Sequence, residues 1–311
     1  MRHGGSVMPD RKQPKPPRKR NWRAMILRRL IAGGVLLVLF LAITLSGWLE
    51  SMLFYYPSRR TVETPPGYRD VWIETDDGLR LHAWFIPARG LEEGQRAPVV
   101  VHCHGNAGNV ADHEAFSSFL ADRGISVLIF DYRGYGQSTN RRRTRAGLAA
   151  DSLAAADFAR AMPETDPDRV AVFGYSLGGT FASVVAAERE WIRGLCIAAG
   201  FRSWPEIAGF HGGRVARLLT PGDTAAEENV AELGTRPLLV VHGSEDFIVP
   251  VEHGRAIAEA ARKAGVPVEF LERPGLGHNE IVAFDSISRE AVGDFFVRLL
   301  IDPHPTEEGP E

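Results

Sequence analysis

The sequence has little cysteine, no internal repeat and no phosphate-binding signature. Only two of its 311 residues are cysteines, which excludes the disulfide framework that holds many small secreted proteins together. No segment recurs at a fixed period, so repeat architectures are excluded. The glycines at 105 and 108 are not followed by the Gly-Lys-Ser/Thr of a phosphate loop. The composition, 44% hydrophobic and 24% charged, suits one α/β domain with extensions.

Both cysteines lie in apolar, strand-like segments. Cys103 belongs to residues 99–104 and Cys196 to residues 195–199. We predict that a third strand lies between these two strands. The two strands would then be about 9.5 Å apart, too far for a disulfide between the cysteines. Core packing is therefore the expected role of both side chains, and neither indicates a cellular compartment.

The two ends of the chain are polar. Residues 1–29 contain ten Lys or Arg and one Asp, and we expect them to form a basic, disordered cytoplasmic tail. Residues 302–311 are predicted to be a disordered charged tail. A basic tail can bind nucleic acid, but the segment that follows indicates a topology signal instead. No nucleic-acid partner is predicted.

Residues 30–49 contain no charged side chain. Twenty helical residues span about 30 Å, the hydrocarbon thickness of a bilayer. A cleaved signal peptide is the main alternative, but its apolar region is usually about 7–15 residues long and ends in a small-residue cleavage site. This segment is longer and has no clear site of that kind. We therefore predict an uncleaved, single-pass transmembrane helix that binds the lipid bilayer.

The flanking charges predict its orientation. Residues 10–29 contain nine Lys or Arg, whereas residues 49–68 contain two. Basic flanks stay on the cytoplasmic side of a membrane. We therefore expect a cytoplasmic N-terminus and an extracytoplasmic main domain, which would be periplasmic in a bacterium.

From residue 71 onward the pattern predicts an α/β fold. Residues 71–75 and 79–86 alternate around Asp77-Gly78, which indicates an antiparallel hairpin. Further strands are predicted at residues 99–104, 126–130, 170–173, 195–199, 238–241 and 268–271. Helices are predicted at residues 113–122, 148–162, 182–189, 252–263 and 281–300, the last with Phe284, Ile287, Ala291, Phe295 and Leu299 on one face. This order predicts a mostly parallel eight-stranded sheet with helices on both faces, within residues 50–301.

One segment interrupts the alternation. Residues 202–236 are irregular, and we predict that they form a small lid of one or two short helices, around 204–210 and 225–233. Phe201, Trp204, Ile207 and Phe210 give this segment an apolar face. We expect Phe201 and Trp204 to bind the substrate in a small acyl pocket; packing onto the sheet is the alternative.

A short segment within the alternation predicts a nucleophile. The apolar residues 170–173 lead into Gly174-Tyr-Ser-Leu-Gly178, and a helix-like segment follows. Strand, Gly-x-Ser-x-Gly and helix form a nucleophile elbow, because the glycines allow the sharp turn that raises the serine hydroxyl above the sheet. The helix N-terminus favours developing negative charge. Ser176 is therefore the predicted nucleophile.

A serine nucleophile needs a base that takes its proton and an acid that orients the base. In elbow enzymes both follow the serine along the chain, the acid first. Asp246 follows the predicted strand at 238–241, with Glu245 as the alternative, and His278 follows the strand at 268–271. Ligand sites of such sheets lie beyond the carboxyl ends of the strands. We therefore expect Ser176, Asp246 and His278 to meet there.

The tetrahedral intermediate of such a reaction needs two backbone N–H donors. Leu177 supplies one. Asn106, in the glycine-containing loop after the third strand, is the preferred second donor, and Ala107 is the alternative. His102 and His104 alternate on a strand and give at most two metal ligands, with no third spaced nearby. No metal site and no cofactor are predicted.

Five motifs occur in a fixed order along the chain. They are HGNAGN at 104–109, DYRGYGQS at 131–138, GYSLGG at 174–179, HGSEDFIVP at 242–250 and GHNE at 277–280. The set resembles the α/β-hydrolase superfamily, closest to its membrane-anchored BEM46/ABHD13-like branch and near the serine aminopeptidase and ABHD17-like groups. The resemblance implies the Ser-Asp-His roles given above and an N-terminal membrane segment. It implies no defined substrate, because the fold carries many activities.

Together these features predict a membrane-anchored serine hydrolase. It would cleave a small-molecule carboxylic ester or thioester through an acyl-enzyme intermediate. A serine peptidase or amidase uses the same triad and is the closest alternative. A non-catalytic membrane scaffold is a further alternative, which the complete triad disfavours.

Overall fold

The structure is a computed structural model, and it describes residues 22–45, 51, 52, 54–92 and 94–302. The chain divides into two units, residues 1–46 and 47–311. In the first unit, α1 extends over Trp22–Leu45. It includes residues 22–29 of the predicted disordered tail, so that part of the prediction is wrong: Ala24, Met25 and Leu27 favour helix, and the interspersed arginines are exposed to solvent there. The rest of both predicted tails lies outside the described residues, apart from Asp302.

The predicted membrane span, residues 30–49, falls partly in α1 and partly in residues 46–49, which lie outside the described residues. Across the described part of the chain, no helix combines the length and the apolar character needed to cross a membrane.

The second unit contains a large sheet and its covering helices. Its strands are β1 (Tyr56–Pro57), β2 (Arg69–Glu74), β3 (Arg80–Ile86), β4 (Ala97–Cys103), β5 (Ala107–Gly108), β6 (Ser126–Phe130), β7 (Thr165–Tyr175), β8 (Ile192–Ala198), β9 (Leu238–Gly243) and β10 (Val268–Arg273). Its helices are α2 (Val110–His113), α3 (Arg145–Ala161), α4 (Leu177–Glu188), α5 (Trp204–Leu219), α6 (Ala226–Asn229), α7 (Val251–Lys263) and α8 (Ser286–Leu300). Short 3₁₀ helices cover Glu114–Phe116, Ser118–Arg123 and Val230–Leu233.

Eight strands form one sheet in the order β10-β9-β8-β7-β4-β6-β3-β2, as predicted. The six strands from β10 to β6 are parallel, whereas β3 is antiparallel to β6 and to β2. The β2–β3 pair is the predicted hairpin. Strand β7 lies between β4 and β8, and both cysteines are free and buried. Their predicted separation by a third strand is confirmed.

Alternate side chains of the central strands pack on opposite faces of the sheet. Val172 and Leu195 belong to a core that includes residues of α3, α4 and α7. Phe173 and Cys196 belong to a second core, which includes residues of α8. Burial of a large apolar side chain stabilises the fold by about 1.5–3 kcal/mol. Two such cores fix the strands, and with them the loops at their carboxyl ends.

The predicted helix over residues 113–122 is instead a series of short turns, α2 and two 3₁₀ helices. The buried Ser117 lies between the two 3₁₀ helices, with its hydroxyl 2.8 Å from Nδ1 of His102 on β4. Gly124 then ends the segment in the left-handed conformation. This long-range contact with β4 shapes the segment, and the local sequence does not reveal it.

The final helix begins five residues later than predicted. Asp285 caps it by accepting a hydrogen bond from the N–H of Ser288, a typical N-cap that competes with the apolar periodicity before it. As a result Phe284 and Ile287 do not belong to the buried face, and they are 81% and 55% exposed. Phe295 and Leu299 are buried as predicted.

Candidate active site

Ser176 lies in the sharp turn between β7 and α4. Its backbone has φ 53° and ψ −119°, a conformation that costs a non-glycine residue about 1–3 kcal/mol. The turn requires its glycines: a Cβ on Gly178 would lie 1.8 Å from the carbonyl oxygen of Cys103, and one on Gly174 would lie 2.5 Å from that of Gly178. The Gly-x-Ser-x-Gly pattern therefore encodes a close approach of backbone to backbone.

The structure brings the three predicted triad residues together. Nε2 of His278 lies 3.0 Å from Oγ of Ser176, and its Nδ1 lies 2.6 Å from Oδ2 of Asp246. All three residues are buried, although they are far apart in the sequence. Glu245, the alternative acid, is exposed. The geometry therefore selects Asp246 as the acid in contact with His278.

The Asp246 carboxylate is held in its charged form. Burial alone would raise its pKa, but hydrogen bonds with His242, His278 and the N–H of Val249 keep that pKa well below the usual range. Its Oδ1 accepts the N–H groups of Ile248 and Val249 at 2.9 and 2.7 Å. A charged acceptor at Nδ1 keeps the His278 proton on that nitrogen, which leaves Nε2 to accept the serine proton.

A cavity of about 580 Å³ opens at Ser176. The predicted oxyanion donors Asn106 and Leu177, and the alternative Ala107, all line it next to Ser176 and His278. In the described part of the chain, no group of three or more His, Cys, Asp or Glu side chains could hold a metal ion.

The apolar wall of the cavity includes Phe201, Trp204 and Ile207, three of the four side chains from which the sequence predicts an acyl pocket. Trp204 is 1% exposed, and its ring lies 5.0 Å from that of Phe201. Its Nε1 donates to Oγ1 of Thr224 at 3.1 Å. Phe210, which the same apolar pattern placed here, does not line this cavity and is 52% exposed. That part of the prediction is wrong, because the helix turns this side chain towards solvent.

Sequence reasoning missed two residues that line the cavity and that come before the large sheet in the chain. Phe54 and Tyr56 line the cavity, and the ring of Phe54 meets that of Trp204 edge-on at 5.7 Å. The aromatic run at residues 54–56 was the available signal. It is ambiguous, because such a run also suits a membrane interface.

The first helix of the predicted lid is longer than expected. Its first helix, α5, extends to Leu219 instead of ending near 210, with a non-helical backbone at Gly213 (φ 73°, ψ −170°). Beyond that glycine, Val215 and Leu218 are 69% and 85% exposed. The second predicted helical region, 225–233, corresponds to α6 and the 3₁₀ helix Val230–Leu233.

Comparisons with known proteins agree with this geometry. Residues 113–300 match the prolyl oligopeptidase family. The uncharacterized protein Rv2307c of Mycobacterium tuberculosis is 34% identical over 278 residues, which cover 88% of this chain and 93% of that protein.

Two solved structures share the fold. An esterase of Pyrococcus furiosus matches with a TM-score of 0.65 and 21% identity, over 80% of this chain and 98% of the esterase. An acylaminoacyl peptidase of Pyrococcus horikoshii matches with a TM-score of 0.62 and 19% identity, over 78% of this chain. The match spans only 43% of that peptidase. The chain belongs to the prolyl oligopeptidase family, a family of serine hydrolases with the α/β-hydrolase fold.

Proposed function

We propose that this protein hydrolyses carboxylic esters or thioesters through an acyl-enzyme on Ser176. One observation carries the proposal: the hydrogen-bonded series Ser176–His278–Asp246 opens into a cavity with an apolar wall. A nucleophile, its base and the orienting acid are thus assembled where an acyl group can bind.

The geometry supports the following reaction. As Oγ of Ser176 attacks the carbonyl carbon, Nε2 of His278 takes its proton and the carbonyl oxygen becomes an oxyanion, held by backbone N–H groups. The carbon–oxygen or carbon–sulfur bond to the leaving group then breaks, and the leaving alcohol or thiol takes the proton from His278. Water, activated by the same histidine, attacks the acyl-enzyme, releases the acid and restores Ser176.

A peptidase or amidase is the second candidate. The family match favours it, since the family is named for an oligopeptidase. The apolar side chains Phe201, Trp204 and Ile207 favour an acyl substrate instead, because a bound peptide would need partners for its own N–H and C=O groups. An amine is also a poorer leaving group than an alcohol or thiol, so it demands more of the protonated histidine.

We also propose membrane anchoring through residues 30–49, with the catalytic domain outside the cytoplasm, and membership of the BEM46/ABHD13-like branch. The support is in the sequence: the uncharged segment, the nine basic residues before it against two after it, and the five ordered motifs. Protease added to intact cells, or to spheroplasts of a Gram-negative source, should digest the main domain and spare an N-terminal tag. Digestion of the tag alone would invert the orientation.

A fluorophosphonate probe tests the proposed chemistry, because it forms a covalent bond only with an activated serine. The wild-type protein should be labelled and should hydrolyse p-nitrophenyl butyrate. Ser176→Ala should abolish labelling and lower kcat by about 10⁶, since the nucleophile is lost. Ser203→Ala, which removes the hydroxyl of another buried serine, is the matched control and should be labelled normally. Undiminished labelling of a folded Ser176→Ala variant would refute the assignment, and a panel of esters, thioesters and peptide amides decides the substrate class.

A further inference from the structure

The loop after β4 is held in place by hydrogen bonds that its backbone carbonyl oxygens accept. Five consecutive residues, 104–108, each accept a hydrogen bond at the backbone oxygen. The bonds are Tyr132 Oη to His104 O at 3.1 Å, His104 Nδ1 to Gly105 O at 2.7 Å, Tyr135 Oη to Asn106 O at 2.8 Å, His113 Nε2 to Ala107 O at 2.6 Å and Ser58 N to Gly108 O at 2.8 Å. Four of the five donors are side-chain groups.

This arrangement controls where the N–H groups of the loop point. A peptide unit is planar and trans, so its N–H is directed opposite to its C=O. The bond from Tyr135 therefore orients the peptide that joins Asn106 to Ala107, which carries the N–H of Ala107, the alternative oxyanion donor, and directly follows Asn106, the preferred one. The bond from His113 orients the next peptide, between Ala107 and Gly108, which carries the N–H of Gly108. The two peptides that meet at Ala107 are thus both fixed by side chains.

The two donors are themselves fixed in place. Tyr135 lies in a tight turn, with its N–H bonded to the carbonyl oxygen of Tyr132. Arg133 anchors this turn through an ion pair of 2.7 Å with the buried Asp151. The ring of His113 stacks on that of His104 with centroids 5.1 Å apart. A Cβ on Gly105 would lie 2.9 Å from Cε1 of His113, so the loop backbone lies directly against this ring.

The donors also keep their protons near neutral pH. Burial raises the pKa of the Tyr135 phenol, so the hydroxyl stays protonated. Burial lowers the pKa of His113, so its imidazole stays neutral and carries one N–H, which the carbonyl of Ala107 accepts. Neither bond is therefore expected to change near neutral pH.

We propose that Tyr135 and His113 are positioning residues of the oxyanion hole. Neither phenol nor imidazole is required to touch the reacting atoms. Tyr135 holds the peptide that carries the Ala107 N–H, and His113 holds the peptide on the other side of Ala107, so together they fix the backbone that follows Asn106. Preorganised donors stabilise the transition state without reorganising at the moment of reaction. The inference rests on the proposed hydrolase function and names parts of its machinery that the triad does not include.

Tyr135→Phe is the sharpest test, because it removes one hydroxyl and retains the ring. Removing a whole oxyanion donor costs about 10²–10³ in kcat, and misdirecting one should cost about 10- to 100-fold. KM for p-nitrophenyl butyrate should change less than twofold, since the ground-state carbonyl depends little on these donors. Tyr68→Phe is the matched control: it removes a partly buried phenol that bonds to Glu114 instead of the loop, and its kcat should equal the wild-type value.

A paired substitution at His113 separates positioning from packing. The amide of His113→Gln can still donate to the carbonyl of Ala107, whereas His113→Leu cannot. The glutamine variant should retain most of the wild-type kcat, and the leucine variant should lose about as much as Tyr135→Phe. This pair also decides the matter if Tyr135→Phe does not fold.

The outcomes distinguish this inference from the proposed function. A wild-type protein without labelling or hydrolysis overturns both. Normal wild-type activity, together with a Tyr135→Phe kcat equal to that of Tyr68→Phe, overturns only the positioning role. Equal losses of kcat in His113→Gln and His113→Leu overturn the positioning role of His113. A selective fall in kcat, with rescue by glutamine, supports the inference.

Discussion

The floor and the cover of the cavity are built differently. The floor, made of the Ser176 turn and the loops after β4, β9 and β10, is fixed by hydrogen bonds and close backbone contacts, including those of Asp246 and Gly178. The cover, residues 202–236, contains a non-helical glycine within α5 and exposes the large apolar side chains of Val215 and Leu218. From this difference we expect the floor to determine the chemistry and the cover to determine which acyl groups fit.

The largest effect should come from disturbing the floor. Asp246→Asn should lower kcat by about 10⁴, because His278 is no longer held in the required tautomer and its cation is no longer supported. Glu245→Gln changes the exposed neighbouring acid and should have little effect. Steady-state kinetics on p-nitrophenyl butyrate measures both variants. A larger loss from the glutamate variant would reverse the assignment of the acid.

A change in the cover should alter selectivity more than chemistry. Each methylene that contacts the cavity wall adds about 0.8 kcal/mol, or about fourfold in kcat/KM. We expect kcat/KM to rise over the first few carbons of p-nitrophenyl esters and then to level or fall, since a cavity of about 580 Å³ is limited in length. Trp204→Ala should flatten this rise by removing the wall.

Phe210→Ala provides the control for that experiment. It truncates an aromatic side chain of the same helix that is 52% exposed and outside the cavity, so the rise should be unchanged. Phe201→Ala serves as a second wall variant if Trp204→Ala is poorly folded. A steady increase of wild-type kcat/KM out to long-chain esters would show that the cover encloses a deep channel, contrary to this prediction.

The smallest expected effect is on the pH dependence of stability, and it arises at the junction between the floor and the cover. The N–H of Arg202, the first residue of the cover, lies 3.3 Å from Nδ1 of His253 at the start of α7. Burial, with the nearby charges of His242 and Arg202, lowers the pKa of His253 to about 4 from a model-peptide value of 6.5. Between these pH values the unfolded chain binds the proton and the folded chain does not. This contribution to stability is therefore complete above about pH 6.5 and is lost as the pH falls towards 4.

Thermal unfolding measures this contribution as a difference between two proteins. The wild-type Tm should fall between pH 6.5 and 4 more steeply than that of His253→Gln, which keeps an acceptor for Arg202 and does not titrate. For a domain of this size each kcal/mol corresponds to about 2–4 °C, so the two curves should separate by several degrees or more at pH 4. Parallel curves would show that His253 does not contribute.

The sequence alone determined the features that depend on local pattern. Gly174, Ser176 and Gly178 can adopt the elbow only in that order, because the backbone contacts exclude any Cβ at the glycines. The positions of Asp246 and His278 followed from apolar strands whose carboxyl ends meet at one edge of a sheet. The eight strands and the separation of the cysteines followed from the same periodicity.

Tertiary structure decided the features that depend on partners distant in the chain. Ser117 bonds to His102 and breaks the predicted helix at 113–122. Phe54 joins the cavity through Trp204, 150 residues away in the sequence. The carbonyls of Asn106 and Ala107 meet Tyr135 and His113 only in the folded chain. Periodicity records which face of an element is apolar, but a hydrogen bond to a particular distant atom leaves no periodic pattern, so only the packed molecule reveals it.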